Sequence, residues 1–230
     1  ALSTILITGC SDDDDPTMVE STEQTFTVTI ENIATAGEFF GTGVFNTPVG
    51  ASAPAAIGPA EAYEFRFGAG PGHRLSFATM MVQSNDLFYA PDGGGIMLFD
   101  GATPVTGDVT DQIMLWDAGS EANEEPGLGD NQAPRQADAN TGPADSDSNV
   151  RLVDDGFSYP AVSDVLMATL TYEGQNEFTL RLENVSTNMT LMPSTGPSLA
   201  VPLAPGVFVI HTEDNPLFTA GMPGFGDGLA

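Results

Sequence analysis

Apolar and polar residues alternate with a period of two along many short stretches of the chain. In residues 25–33, TFTVTIENI, the side chains of Phe26, Val28 and Ile30 fall on one face, and threonines and a glutamate fall on the other. This pattern is typical of a strand with one buried face. Similar apolar runs predict strands at residues 62–67, 74–82, 95–99, 112–116, 149–153, 165–173, 178–185 and 206–212.

Turn-forming residues separate these stretches. The 26 Gly and 17 Pro of the chain fall mainly between the apolar runs, and no run has a convincing helical period. Many short strands joined by Gly- and Pro-rich turns indicate an all-β domain, either an antiparallel β-sandwich or a barrel.

Two of the strand-like stretches resemble each other. Residues 26–35, FTVTIENIAT, and residues 178–187, FTLRLENVST, share Phe, Thr, Glu, Asn and Thr at equivalent places. The match indicates two structurally equivalent strands. An old duplication and convergence on one strand pattern both explain it.

The composition narrows the class of partner. The chain of 230 residues has 32 acids against five bases, all of them Arg, and a formal net charge of −27. Binding to phosphate backbones needs a basic face, so this composition excludes nucleic acid as a partner. An acidic surface favours cations, basic partners or a salty medium.

The N-terminal residues point to a location. The run ALSTILITGC ends in Cys10, the only cysteine, and four aspartates follow closely. It resembles the end of a bacterial lipoprotein signal peptide, which implies lipid attachment to Cys10 and anchoring in the cell envelope. Such a run is too short to span a bilayer, which needs about 20 apolar residues. We therefore expect a signal remnant at 1–9, a flexible acidic tether at 10–24 and one folded domain at 25–230.

A long segment between two predicted strands interrupts the pattern. Residues 117–149 contain eight acids and a single base, Arg135. An unstructured connection of this length is uncommon inside a compact domain, and it is usually functional or disordered.

Acids follow two of the apolar runs. The first run, LSFATMMVQSNDLFYAP, contains Asp86, and the second, IMLWDAGSE, contains Asp117 and Glu121. If these strands end at one pole of a sandwich, the carboxylates converge, and two carboxylates 4 Å apart repel by about 4 kcal/mol at an effective dielectric constant near 20. Calcium would relieve this repulsion, because it binds carboxylate and carbonyl oxygens. The absence of His and Cys beside these acids disfavours zinc.

The same two runs resemble the signatures of a known family. In the spondin N-terminal domain family, a strand of the form Ser-Phe-x-Thr-Met-Met is followed by Ser-Pro-Asp-Trp, and a second signature reads Trp-Asp-Ala-Gly-Thr-Asp. The resemblance implies a C2-like antiparallel β-sandwich with calcium bound in long acidic loops at one pole. The family's ligands carry over to Asp86, Asp117 and Glu121. Two departures, Asn85 and Leu87, replace the Pro and Trp of the first signature, and Glu121 replaces an Asp.

A second group of oxygen-bearing side chains lies later in the acidic segment. Asp145, Asp147 and Asn149 alternate as the ligands of a calcium loop do, but the Gly and the distal Glu of an EF-hand are missing. A second metal loop and a solvated turn both remain open.

These features predict a calcium-binding adhesion or recognition module that is held at a bacterial cell surface by its lipid and is not an enzyme. The expected partner is an extracellular protein or a glycan, and membrane contact is expected only through the anchor. Two alternatives remain: a carbohydrate-binding module, and a secreted glycoside hydrolase that uses Asp86 and Asp117 as acid and base, which would need a cleft lined by aromatic residues.

Overall fold

A computed structural model describes residues 39–138, 141–212 and 216–224. These residues belong to one compact unit, Glu38–Ala230. Cys10, the predicted tether at 10–24 and the predicted strand at 25–33 lie outside the described residues, as does the first of the two similar stretches, residues 26–35.

Short strands account for most of the regular structure. Helical structure in the described residues is limited to a 3-10 turn, Thr110–Gln112, and a single-turn helix α1, Val162–Val165. The strands are β1 (Phe39–Phe45), β2 (Ala62–Gly68), β3 (Arg74–Met81), β4 (Leu87–Pro91), β5 (Ile96–Met97), β6 (Phe99–Asp100), β7 (Thr103–Pro104), β8 (Gly107–Asp108), β9 (Ile113–Asp117), β10 (Arg151–Leu152), β11 (Leu166–Gly174), β12 (Glu177–Asn184) and β13 (Leu203–His211).

Two antiparallel sheets contain nearly all of these strands. The larger sheet has the order β1-β13-β3-β4-β9-β10, with β5 paired to β3, and the smaller sheet has the order β2-β12-β11-β8. A separate hairpin joins β6 to β7. The predicted all-β antiparallel sandwich is confirmed.

Aromatic rings from both sheets form the centre of the core. Phe65 of the smaller sheet stacks on Phe45 and Phe208 of the larger sheet, with ring centroids 5.0 and 4.3 Å apart. The apolar face predicted for β12 is buried, because Phe178 and Leu180 are fully inaccessible to solvent. Alternation along each strand thus brings large apolar side chains between the sheets, where they exclude water.

The edge strand β1 was not predicted by the alternating pattern. Its sequence, FFGTGVF, contains two glycines, which are uncommon in strands. The structure explains Gly43: a Cβ at this position would lie 2.6 Å from Cε1 of Phe208 on the paired strand. Glycine therefore lets the Phe208 ring lie against the β1 backbone.

Two predicted strands are shorter than expected. The stretch at 95–99 divides into β5 and β6 around Leu98, whose backbone N–H donates to the carbonyl of His73 instead of extending either strand. The stretch at 149–153 contributes only β10, which pairs with the last two residues of β9. The lengths of these strands are set by pairing with distant parts of the chain, which the local sequence pattern cannot reveal.

A small second cluster covers the outer face of the larger sheet at β4 and β9. Trp116 packs there on Phe218, with ring centroids 4.9 Å apart, and on Ala90 and Val150. The Trp116 indole N–H donates to the Ala90 carbonyl at 3.2 Å. Burial on both faces explains why the run ending in Asp117 is almost continuously apolar.

Two buried side-chain polar atoms in the described residues lack a hydrogen-bond partner, and one of them is the hydroxyl of Tyr89. The hydroxyl of Tyr89 lies in the core without a hydrogen bond, and burial raises the pKa of this phenol. We expect Tyr89→Phe to increase the free energy of unfolding by about 1 kcal/mol, because an unsatisfied buried hydroxyl carries an uncompensated desolvation cost. Urea denaturation measures the change.

Tyr63→Phe is the matched control. The Tyr63 hydroxyl is also buried but donates to the Ala55 carbonyl at 2.6 Å, so its removal should lower the free energy of unfolding by about 1 kcal/mol. Equal losses of stability in both variants would contradict the assignment of the Tyr89 hydroxyl as unsatisfied.

Candidate metal centre

Two neighbouring strands bring acids to one edge of the larger sheet. Strand β4 begins directly after Asp86, and β9 ends at Asp117. The two strands are antiparallel, with Leu87 opposite Asp117, so the start of one meets the end of the other. The structure therefore brings these two predicted ligands to the same edge.

One oxygen of Asp86 is saturated, whereas the other has no partner. Oδ2 accepts hydrogen bonds from the backbone N–H and hydroxyl of Ser120, at 2.7 and 2.8 Å, and from the backbone N–H of Glu121 at 3.0 Å. Oδ1 is buried and has no hydrogen-bond partner. A buried carboxylate oxygen without a donor is costly, and a bound cation is one way to satisfy it.

Asp117 is almost completely buried, with 1% of its side chain exposed. Its Oδ1 accepts a hydrogen bond from the Gly119 backbone N–H at 2.7 Å. Its Oδ2 accepts from the Asn123 amide and from the Arg151 guanidinium, both at 2.7 Å. Burial raises the pKa of Asp117 and so does the charge of Asp86, against the opposing effects of the Gly119 hydrogen bond and Arg151.

Gly119 holds the turn after β9 in an unusual conformation. Its φ is +71°, a region that residues with a side chain rarely adopt. A Cβ at this position would lie 2.8 Å from the Asp147 carbonyl oxygen and 2.9 Å from that of Asn149. The glycine thus permits close contact between the two ends of the long acidic segment.

Glu121, the third predicted ligand, is 3% exposed and faces the same segment. Its Oε1 accepts a hydrogen bond from the Gly142 backbone N–H at 2.9 Å, and its Oε2 lies 3.5 Å from the Asn85 amide nitrogen. A β-bridge between Glu121 and Ala144 fixes the backbone there. The backbone N–H of Glu121 contacts Asp86, whereas its carboxylate contacts Gly142 and Asn85.

Sequence reasoning did not single out Glu124, which links the neighbouring turns. Its Oε2 accepts from the Asn131 backbone N–H at 2.8 Å and from the Asn85 amide at 3.2 Å, and the Asn85 side-chain oxygen accepts from the Glu124 N–H at 3.0 Å. Burial raises the pKa of Glu124, but the hydrogen bonds from Asn131 and Asn85 outweigh it and lower the pKa. The sequence feature that could have pointed to Glu124 is its partner Asn85, which stands where the spondin signature has Pro.

The predicted second metal loop surrounds an arginine. The Arg151 guanidinium donates to four oxygens: Asp117 Oδ2 at 2.7 Å, Asp145 Oδ2 at 2.6 Å, and the backbone carbonyls of Asp147 at 2.7 Å and Asn149 at 3.1 Å. The Asn149 amide donates to Asp147 Oδ1 at 2.7 Å. The three residues therefore converge, and a protein cation contacts all of them.

The donor atoms of the centre fit a hard cation. Within the described residues, no three His, Cys, Asp or Glu side chains lie close enough together to form a ready-made metal site. The side chains of Asp86, Asp117 and Glu121 nevertheless offer only oxygen, as calcium prefers. The partnerless Oδ1 of Asp86 and the repulsion between Asp86 and Asp117 are costs that a cation between them would remove.

The aromatic residues next to these acids in the chain are packed against other side chains. Trp116 and Phe88 contact Phe218 in the outer cluster, and Tyr89 lies in the core. His211 is also buried, with its Nε2 2.9 Å from the hydroxyl of Ser76. The aromatic side chains contribute to packing near these acids, whereas His211 is paired with Arg74 at the far end of β3.

Comparisons with family models, curated proteins and solved structures found no match to this chain. The resemblance to the spondin N-terminal domain family therefore rests on the two signatures at residues 75–91 and 113–121. In the part of the chain that the structure describes, no helix is long and apolar enough to cross a membrane.

Proposed function

We propose that this protein is a calcium-binding recognition module of the spondin N-terminal type, anchored at a bacterial cell surface through a lipid on Cys10. Its calcium ligands would be Asp86, Asp117 and Glu121. The observation that carries the proposal is the buried Oδ1 of Asp86, which lacks a hydrogen bond and belongs to the residue just before β4, the strand paired with the one that ends in the buried Asp117. A divalent cation supplies the charge that these oxygens need.

Calcium would act on the long acidic segment. Asp117 begins this segment, Glu121 binds its later part through the Gly142 N–H, and Asp86 holds Ser120 from the neighbouring strand. A cation bound to these carboxylates would stabilise the turns around them. The surface ordered in this way is our candidate contact region for an extracellular protein or glycan.

The aromatic residues next to these acids in the chain do not favour the carbohydrate-processing alternative. A sugar site needs exposed aromatic faces near its acids, whereas Phe88, Tyr89 and Trp116 are packed against other side chains. Screening a glycan panel with calcium and with chelator distinguishes a carbohydrate partner from a protein partner.

We expect calcium to raise the melting temperature of the full chain. A ligand that binds only the native state stabilises it by about 2.7 kcal/mol at a hundredfold excess over its dissociation constant. Asp86→Asn should abolish this response, because the amide cannot supply the anionic Oδ1. Thermal unfolding in calcium and in chelator measures the effect.

Asp130→Asn is the matched control for charge. Asp130 is exposed in the same acidic segment, so its substitution removes one negative charge without touching the proposed ligands. It should retain the calcium response. Equal responses of Asp86→Asn and the wild type, or no response of the wild type at millimolar calcium, would contradict the proposed site.

A further inference from the structure

The positive charge of Arg151 lies directly on a proposed calcium ligand. Arg151 of β10 is opposite Asp117 of β9 in the strand pairing, and its Nη2 lies 2.7 Å from Asp117 Oδ2. The same nitrogen lies 2.6 Å from Asp145 Oδ2. One guanidinium therefore bridges a buried carboxylate and a carboxylate of the following loop.

The second terminal nitrogen of the guanidinium, Nη1, binds backbone atoms of the same loop. Nη1 donates to the carbonyls of Asp147 and Asn149 at 2.7 and 3.1 Å. These two carbonyl oxygens, together with the carbonyl carbon of Ser148, leave no room for a Cβ at Gly119. The position of Arg151 is thus coupled to the turn that follows Asp117.

Arg151 already supplies part of the charge that calcium would supply. Asp117 is 1% exposed, and a charge so buried needs a partner. A calcium ion on Asp117 and a guanidinium on the same carboxylate would repel each other across a short distance, in surroundings that screen charge weakly. Calcium and the guanidinium therefore weaken each other's binding to the Asp117 carboxylate.

We infer that Arg151 is the resident counter-cation of Asp117 and competes with calcium for it, so that this arginine sets the calcium affinity of the site. The inference deepens the proposed function and rests on it. When calcium binds, Arg151 loosens from Asp117, and the loop at 145–149 loses one of its attachments. The binding of calcium and the conformation of this loop are therefore linked.

Calorimetric titration of the full chain with calcium chloride tests the competition. Arg151→Gln removes the positive charge while keeping a polar side chain, and it should tighten calcium binding by about tenfold or more. It should also lower the melting temperature in chelator by leaving Asp117 without its cation, and calcium should restore that temperature. Trp116 fluorescence verifies that the variant is folded.

Arg135→Gln provides the matched control, because Arg135 lies in the same acidic segment and donates to the Gly129 carbonyl and to the side chains of Gln132 and Gln83. It removes the same charge without touching Asp117, so calcium affinity should change by less than about twofold. Arg151→Lys keeps the charge but loses the fork that bridges two acids. Its affinity should lie between those of the wild type and Arg151→Gln.

The outcomes separate this inference from the proposed function. Calcium binding by the wild type that is no weaker than binding by Arg151→Gln would overturn the competition and leave the proposed function standing. Calcium binding by Arg151→Gln alone would support the competition but overturn the proposal that the wild type binds calcium. No binding by either protein would overturn both.

Discussion

Replacing Gly119 with alanine should lower the free energy of unfolding by about 3 kcal/mol and abolish the calcium response. The left-handed backbone conformation costs a residue with a Cβ about 1 to 2 kcal/mol, and the φ of Gly119 is +71°. The new Cβ would also come within 2.9 Å of two carbonyl oxygens, those of Asp147 and Asn149. The loop must then move away from the turn that holds Asp117, which adds an overpacking cost.

Gly196→Ala separates the cost of the left-handed backbone conformation from the cost of the steric clash. Gly196 has a comparable φ of +81°, but no atom lies within 4 Å of its added Cβ. This variant should lose only about 1 kcal/mol and keep its calcium response. Urea denaturation followed by Trp116 fluorescence measures both variants. Equal losses would contradict the close contact between the turn after β9 and residues 147–149.

Replacing Phe178 with alanine should lower the free energy of unfolding by about 3 to 5 kcal/mol. Phe178 lies on β12, between β2 and β11, and is fully buried. Its ring packs against Phe67, Phe99 and Tyr172 at centroid distances of 5.8, 5.4 and 5.0 Å. Truncation removes buried apolar area and leaves a cavity that rings on three sides cannot fill.

Met192→Ala is the surface control for this loss. Met192 is 71% exposed on the connection between β12 and β13, so its truncation should change the free energy of unfolding by less than about 0.5 kcal/mol. Chemical denaturation of both variants gives the comparison. A loss below about 1 kcal/mol for Phe178→Ala would mean that these rings are not the core of the sandwich.

Alternation of apolar and polar residues was sufficient to predict most of the long strands. Strands β2, β3, β9, β11, β12 and β13 all overlap predicted stretches, although β13 begins three residues earlier than predicted, whereas β4 was not among the predicted strands. The pattern failed for β1, because its glycines carry no apolar side chain, and their role becomes visible only when Phe208 of the paired strand lies over Gly43. Pairing between distant strands decides such positions.

The sequence was sufficient to predict which acids form the candidate site, but not which residues they contact. An acid at the end of an apolar run, as at Asp117, is visible in the sequence. Its pairing with Arg151 is not, because 34 residues separate the two and only the register of β9 with β10 brings them opposite each other. The unsatisfied Oδ1 of Asp86 likewise depends on where the Ser120 turn directs its donors.

A calorimetric titration of the full chain with calcium, run beside Asp117→Ala, tests the central claim most directly. We expect a single class of site in the wild type, and we expect it to be lost in the variant, because Asp117 is the most deeply buried of the three proposed ligands and already binds the cation Arg151. A wild type that releases or absorbs no binding heat at millimolar calcium, or a variant that binds as the wild type does, would contradict a calcium centre at this edge of the sheet.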